Sequence, residues 1–541
     1  MAERVLAGIE IKEQNGAEHA IPRAPTGIVA FVGRTLKGPI GEPATVQSFA
    51  DYQRIFGGLW QPSTVSYAVE QFFENGGRTA IIVRVVNGGR APTITLPAGV
   101  ASLVLTGIAP GSREHLRASV DYDGIGSNEV DRFNLVLQRL RGAGSELIED
   151  QEIYRRVSIR PDAGRYIVDA LLESRLVRVA GPIPLERPNP SPPAVPGGAV
   201  GYTHANNDGD DGVPLTDYDI IGSAQAGTGL FALKSVPIFN MLCIPPLGRE
   251  QDVGASSLLV ASRFCRERHA LLLVDPPQSW STPTSAIDAL RDWPFRADNA
   301  VMHYPRIVAQ DRLRGRLETF APSGAVAGML ARLDETAPPW SPVEHDEVLL
   351  RPGLRPAVVV NDNERARLAQ AGVNTLTATR IAHRVPVSAR TLATGNSGAT
   401  DWRYLGPRRL AQFIALSVEQ GTRWMMFRRS NPDSWLRARA QVEAFLESLD
   451  QEGAFPGSAA GEGYFVVCDE RFNDRQAQAE GRVSLVYGFA ATRPGEYHSF
   501  IVSHARGESR VRAVAVNRYT TSGRRVGEEI ETGLLRGLQL P

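Results

Sequence analysis

The sequence predicts a mixed α/β and α+β protein of several domains: a layered α/β unit, a β-rich insertion within it, and an α+β domain after it. Three observations carry this. The 541 residues exceed what one hydrophobic core organises. Buried-type strands alternate with capped helices from 27 to 87 and again from 227 to 310, as layered sheets require. Between them, from about 91 to 220, come short β-like runs broken by glycine and proline.

Composition removes several classes of function. Lys+Arg and Asp+Glu both number 59, so no net field draws in nucleic acid or a membrane surface. Lysine occurs only at Lys12, Lys37 and Lys234, an arginine bias that a GC-rich genome explains without special chemistry. Cys243, Cys265 and Cys468 lie far apart, the pattern of buried thiols in a reducing compartment. The opening MAERVLAGIEIKEQ is charged too early for a signal peptide. No apolar run reaches the roughly 18 to 20 residues that span a bilayer. Synthesis and use in the cytoplasm, or release by lysis, is the expectation.

Residues 4–13 alternate, with Val5, Ala7, Ile9 and Ile11 on one side, and read as a strand within an N-terminal arm, 1–24. A lone strand cannot satisfy its own backbone, so it needs a sheet elsewhere. The first part of the α/β unit, 25–90, runs from strand GIVAFVGRT (27–35) through turn KGPIGEP (37–43). Helices SFADYQRIFGG (48–58) and STVSYAVEQFFENGG (63–77) follow, then strand TAIIVRVVN (79–87). Both helices start on serine and stop at glycine pairs. The insertion, 91–220, closes with ERPNPSPPAVPGG (186–198), read as a flexible exit loop.

The α/β unit resumes over 221–344, where NMLCIPPL and HALLLVDPPQSW each hold a strand ended by prolines. The last domain, 345–505, has the clearest helices. Arg408–Gln420 sets Leu410, Phe413, Ile414 and Val418 on one face. Asn431–Asp450 has Asn431 at the N-cap and Pro432 at the first helical position, with Trp435, Val442, Phe445, Leu446 and Leu449 inward. YFVVCD (464–469) is a strand, and 506–541 is a C-terminal extension ending in a short helix, GEEIETGLLRGL.

Motifs for chemistry are weak. GTGLFA (227–232) meets the loose dinucleotide pattern, but a Gly/Ala/Ser loop leads into it where a strand is required, so it reads as a helix start. NNDGDDG (206–212) alternates Asn206, Asp208 and Asp210 like a calcium loop. Asp211 stands where that loop needs glycine and Asp217 where it needs glutamate, so a solvated turn is the better reading. The nine histidines show no metal spacing, and GNSG (395–398) and GSAAG (457–461) both miss the nucleophile elbow. The residues nominate no catalytic, cofactor-binding or metal-ligating set.

A different signal is collinear. PTGIVAFVGRTLKGPIGEPATVQSFADYQRIFGG (25–58), DGDDGVPLTDY (208–218), TGLFAL (228–233), LLLVDPP (271–277) and HYP (303–305) come in order. APSGAVAGMLARLD (321–334), WSP (340–342), LAQAGVN (368–374), ARTL (389–392), DWRYLGPRRL (401–410), NPDSW (431–435) and YFVVCD (464–469) continue it. Together, over roughly 25–505, they resemble the tail sheath family of contractile phage tails, phage-tail-like bacteriocins and contractile injection systems. Departures are the opening VLAGIEIKE where the family has PGVY, VPVSARTL (385–392) where it has VWGARTL, and the run beyond RPGEYHSFIVSH (493–504) to Pro541.

The resemblance implies a subtilisin-like topology for the middle domain without that fold's activity, an insertion placed outermost, and a 345–505 domain facing an inner tube. It implies a structural subunit, not an enzyme, that needs no cofactor, polymerises around the tube and contracts to drive it through an envelope. Implied partners are further copies of the chain, the inner tube protein, and baseplate and terminator or cap proteins, with no nucleic acid and no direct membrane insertion. Strand addition between copies would use Val5, Ala7, Ile9 and Ile11 at one end and Phe500, Ile501 and Val502 at the other. Assembly would be in the bacterial cytoplasm, the product a virion tail, a released particle or a cytoplasmic injection machine. The alternatives are a hydrolase with an unrecognised site on the subtilisin-like domain, or another tail or baseplate component.

Overall fold

The computed structural model describes residues 20–192, 201–206, 209–341, 351–376, 389–393, 400–456, 463–494, 496–505 and 507–514. The chain divides into two compact units. One is Thr26–Pro338 with Pro342–Leu405; the other is Met1–Pro25 with Pro339–Ser341 and Gly406–Pro541.

The first unit is built on seven strands: β1 (Ile28–Gly33), β2 (Ala44–Val46), β3 (Thr79–Arg84), β4 (Met241–Cys243), β5 (Leu271–Val274), β6 (Ala300–Tyr304) and β7 (Val373–Thr375). Their order is β7-β6-β5-β4-β1-β3-β2. All neighbours are parallel except β2, which runs antiparallel on the edge. Such a sheet is covered on both faces, which is why these strands are continuous apolar runs. Helices α1 (Phe49–Phe56), α2 (Thr64–Glu74) and α5 (Ser323–Leu333) share one core with Val29, Phe31 and Ile82. Helices α3 (Ala255–Glu267), α4 (Pro283–Asp292) and α6 (Asp362–Gln370) share the other with Val32, Leu242 and Leu272.

Local signals set the helix ends. Ser48 and Ser63 accept from the backbone N–H of Asp51 and Ser66, and Gly57 closes α1 at φ 89°. Helix α5 is buried along its length and crosses α2 closely. A Cβ on Gly324 would stand 2.1 Å from the Ala68 carbonyl oxygen, and one on Gly328 2.3 Å from that of Phe72. Glycine at both turns is therefore what lets the two backbones meet.

Two expected boundaries move. Residues Arg355–Leu405 belong to this first unit, because β7 extends the parallel sheet beside β6, so the last unit begins at Gly406 and not near 345. At the insertion, Leu215 and Ile220 already sit in the core of the main sheet, so the insertion ends before them.

The insertion folds around its own core. Strands His115–Asp121, Arg132–Leu140 and Ile148–Ser158, with Thr203–His204, make one antiparallel sheet; Thr93–Ala98, Ala101–Gly107 and Val177–Ala180 make another. Ile94, Leu105, Leu116, Phe133, Val157 and Leu171 pack between them. The chain enters and leaves side by side, through bridges Asn87↔Val213 and Arg90↔Asp210. Arg84, buried, donates to the carbonyls of Gly38 and Pro110 beside that stalk. The proline-rich exit is not loose where it is described. Arg187 lies 3.6 Å over the Tyr122 ring and donates to the Arg132 carbonyl, and Ser191 N–H pairs with Val120.

In the second unit, α7 (Leu405–Gly421) and α8 (Pro432–Gln451) accompany an antiparallel sheet. Its strands, β8 (Tyr464–Val467), β9 (Val483–Ala490), β10 (Tyr497–Ala505) and β11 (Glu508–Val514), lie in chain order. The predicted inward residues of both helices are buried, and Asn431 caps α8 by accepting from Ser434 N–H. Gln441 joins the helices, accepting from Trp424 Nε1 at 2.9 Å and donating to the Gly421 carbonyl at 3.1 Å. Phe500 stacks between Tyr487 and Phe489, at 5.6 and 5.8 Å. The described end of the N-terminal arm docks here too: Ala24 N–H donates to Ser417 Oγ, and Ile21 is buried against Gly421.

Candidate functional site

In an open parallel sheet, ligands bind where strand order reverses, beyond the carboxyl ends of the strands. Here that place lies between β1 and β4, and the first turn of α2 fills it. Ser63 Oγ donates to the Arg34 carbonyl after β1, and Thr64 Oγ1 to the Pro246 carbonyl after β4. Val65 packs so near Gly33 that an added Cβ would meet it at 2.5 Å.

A serine and a carboxylate do meet at the start of α5. Ser323 Oγ and N–H both donate to Asp275, each at 2.8 Å. Burial raises the Asp275 carboxyl to about 6, against the pull of those bonds and of Arg306. Ser323 is only 3% exposed, so its hydroxyl is out of a substrate's reach. The pair caps a buried helix whose own N-cap position, Pro322, makes no side-chain cap bond.

The other motifs resolve into structure. Gly229–Ser235 is a 3₁₀ helix after a glycine turn. In the acidic loop, Asp211 accepts from Ser112 N–H and Oγ at 3.0 and 2.7 Å, and Asp210 from Gly212 N–H; Asp208 lies outside the described residues. Burial pushes all three cysteine thiols up, Cys468 to about 12. Among the described residues no cluster of three His, Cys, Asp or Glu could hold a metal, and no helix is long and apolar enough to cross a membrane.

The surface that remains is a strand edge. Phe500, Ile501 and Val502 are not a detached arm. They lie in β10, opposite Tyr487, Val486 and Leu485 on β9 and Ala513, Arg512 and Val511 on β11. Both backbone edges of β10 are thus used within the chain, and a neighbour could take them only by unzipping two ladders. The edge passes instead to β11, whose outer side pairs with no other described strand. Glu508, Arg510 and Arg512 are exposed along it, the charge pattern that guards an edge against indiscriminate pairing. Alternation in RVRAV was the available signal for this strand, masked by its arginines. Val5, Ala7, Ile9 and Ile11 lie outside the described residues.

No family model matches the chain, and no curated protein matches its sequence. Solved structures do match. A sheath tail protein of Listeria innocua is 12% identical at a TM-score of 0.57, over 91% of this chain and 98% of that one. The sheath complex of an extracellular contractile injection system (PVC, contracted state) is 17% identical at 0.51, over 92% and 96%. The class is therefore a mixed α/β protein of several sheets. Within it, the chain has the fold of contractile sheath proteins.

Proposed function

We propose that this chain is the structural subunit of a contractile tail sheath, polymerising helically around an inner tube and contracting to drive that tube through a target envelope. One observation carries the reading: the likeness to a sheath tail protein covers 91% of this chain and 98% of the other.

The local chemistry agrees with a mechanical role. The reversal crevice is closed by α2, the Ser323–Asp275 pair is a helix cap, and the second unit has a charge-guarded strand edge that pairs with no other described strand. A strand from a neighbour, residues 4–13 of another copy, would add to β11 by backbone hydrogen bonds. Each is worth about 0.5–1.5 kcal/mol net, so one link supplies a few kcal/mol. Links at both ends of every subunit make the mesh persist through a change of lattice. In this reading the insertion lies outermost, the second unit faces the tube, and baseplate and terminator proteins close the ends. Assembly takes place in the bacterial cytoplasm. The subtilisin-like topology is inherited without catalysis.

The test is expression of the full chain alone. Negative-stain images should show tubes or large helical oligomers. A monodisperse monomer in light scattering at high concentration would sink the reading.

A further inference from the structure

A cleft of about 370 Å³ opens between α2 and the hairpin Ile307–Asp311/Arg316–Phe320, within the first unit. Tyr67 and Phe320 line its apolar part; Glu70, Gln71, Glu74 and Arg312 its polar part. Gln71 is 4% exposed, yet its Oε1 accepts no hydrogen bond among the described residues. Glu70, almost as buried, has Oε1 3.2 Å from Arg312 Nη1, in an ion pair too poorly aligned to be a hydrogen bond. Two buried acceptors on consecutive residues thus go without a hydrogen bond among the described residues, an arrangement that folding disfavours.

The adjoining compartment shows how these rings seat a guanidinium. There the Arg249 guanidinium sits 4.5 Å from the Tyr67 ring centre and 4.9 Å from that of Phe320. It donates to Asp311 at 3.1 Å and to Glu318 at 2.8 Å. The same two rings bound the cleft. A planar cation with several N–H donors satisfies neighbouring acceptors that a single ammonium would meet less well.

We propose that this cleft binds a guanidinium group, whose N–H groups donate to Gln71 Oε1 and to the Glu70 carboxylate. Arg312, 63% exposed at its side chain and also paired to Glu74, is the group a ligand displaces from Glu70. Burial raises the Glu70 carboxyl to about 7; Arg312 opposes this, while Glu74 on α2 and Asp311 on the hairpin add to it. Arg351 lines the far wall. Because the ligand needs the ionised carboxylate, binding strengthens from pH 6 to pH 8. The proposal is independent of the sheath reading.

Saturation-transfer NMR on the full chain provides the test, with agmatine as a free guanidinium compound and N-acetylarginine amide as a protein-like side chain. Both should bind, N-acetyllysine amide more weakly, and Gln71→Met should weaken both guanidinium probes about tenfold. Gln71→Met should leave the melting temperature unchanged or raise it, because an apolar group of like shape replaces an unpaired acceptor. Glu70→Gln should remove the pH dependence. A preference for agmatine marks a small-molecule ligand and a preference for the amide a protein segment; either upholds the site. Absence of binding by both probes, unchanged binding in Gln71→Met, or a lower melting temperature in that variant would overturn it.

Discussion

His504 Nε2 lies 2.8 Å from Thr422 Oγ1, and that hydroxyl already donates to the Val418 carbonyl at 2.6 Å. The imidazole must therefore donate through Nε2–H, which leaves Nδ1 to accept from Ser509 Oγ, 2.7 Å away. One buried ring so ties the end of α7 to the edge strand β11.

That ring makes the second unit sensitive to acid. Burial, with Arg423 nearby, lowers the imidazole from 6.5 to about 4. Between those values the unfolded chain binds a proton that the folded chain refuses. Stability is thus complete above about pH 6.5 and falls as pH drops toward 4, by about 3 kcal/mol in all. Denaturant titrations at pH 7 and pH 4.5 should show this slope, and His504→Gln should flatten it. Equal slopes would remove His504 as the cause.

The closing pair of the β10–β11 hairpin is Ala505/Glu508, a spacing that makes it a hydrogen-bonded pair. By alternation, Arg510 and Arg512 face inward with their N–H groups, while Ser509, Val511 and Ala513 present theirs to the open edge. Val511→Pro should leave thermal stability nearly unchanged and abolish extended sheath. Arg512→Pro should cost at least about 1 kcal/mol more by breaking the chain's own ladder. Normal tubes from Val511→Pro, counted by electron microscopy, would take β11 out of assembly.

At the crossing of α2 and α5 two effects oppose. Gly328→Ala gains about 1 kcal/mol of helix propensity. It also drives a methyl to 2.3 Å from the Phe72 carbonyl oxygen, against backbone that cannot move aside cheaply. Overpacking of this kind costs about 1–3 kcal/mol, so net destabilisation is expected in urea denaturation. A stabilised variant would mean that the helices part without loss.

Contraction should need no fuel. A lattice trapped in an extended form can release a few kcal/mol per subunit by rearrangement alone. Assembled particles triggered by mild denaturant in EDTA, without nucleotide, should shorten in electron micrographs. Particles that stay extended until ATP or a divalent metal is added would reopen the search for a catalytic site.

Local chemistry made much of this legible in sequence. Ser48 with Gly57, and Asn431 with Pro432, fix helix ends through bonds only a few residues long, and both were found where expected. What sequence missed depends on distant partners. Strand β7 is three residues whose place is set by pairing with β6, about seventy positions away, so 345–405 read as part of the wrong domain. Phe500–Val502 looked like an arm because apolar alternation does not distinguish an edge strand from an interior one. Gln71 Oε1 sits on a well-predicted helix, but only the packing of the hairpin leaves it buried without a hydrogen bond among the described residues.

The stalk of the insertion has an evolutionary consequence. Its entry and exit are adjacent rungs, Asn87↔Val213 and Arg90↔Asp210, and its core is its own. A cassette held this way can be lengthened, trimmed or exchanged while the seven-stranded sheet keeps its register. Selection can therefore rewrite the insertion without disturbing the sheet that carries it.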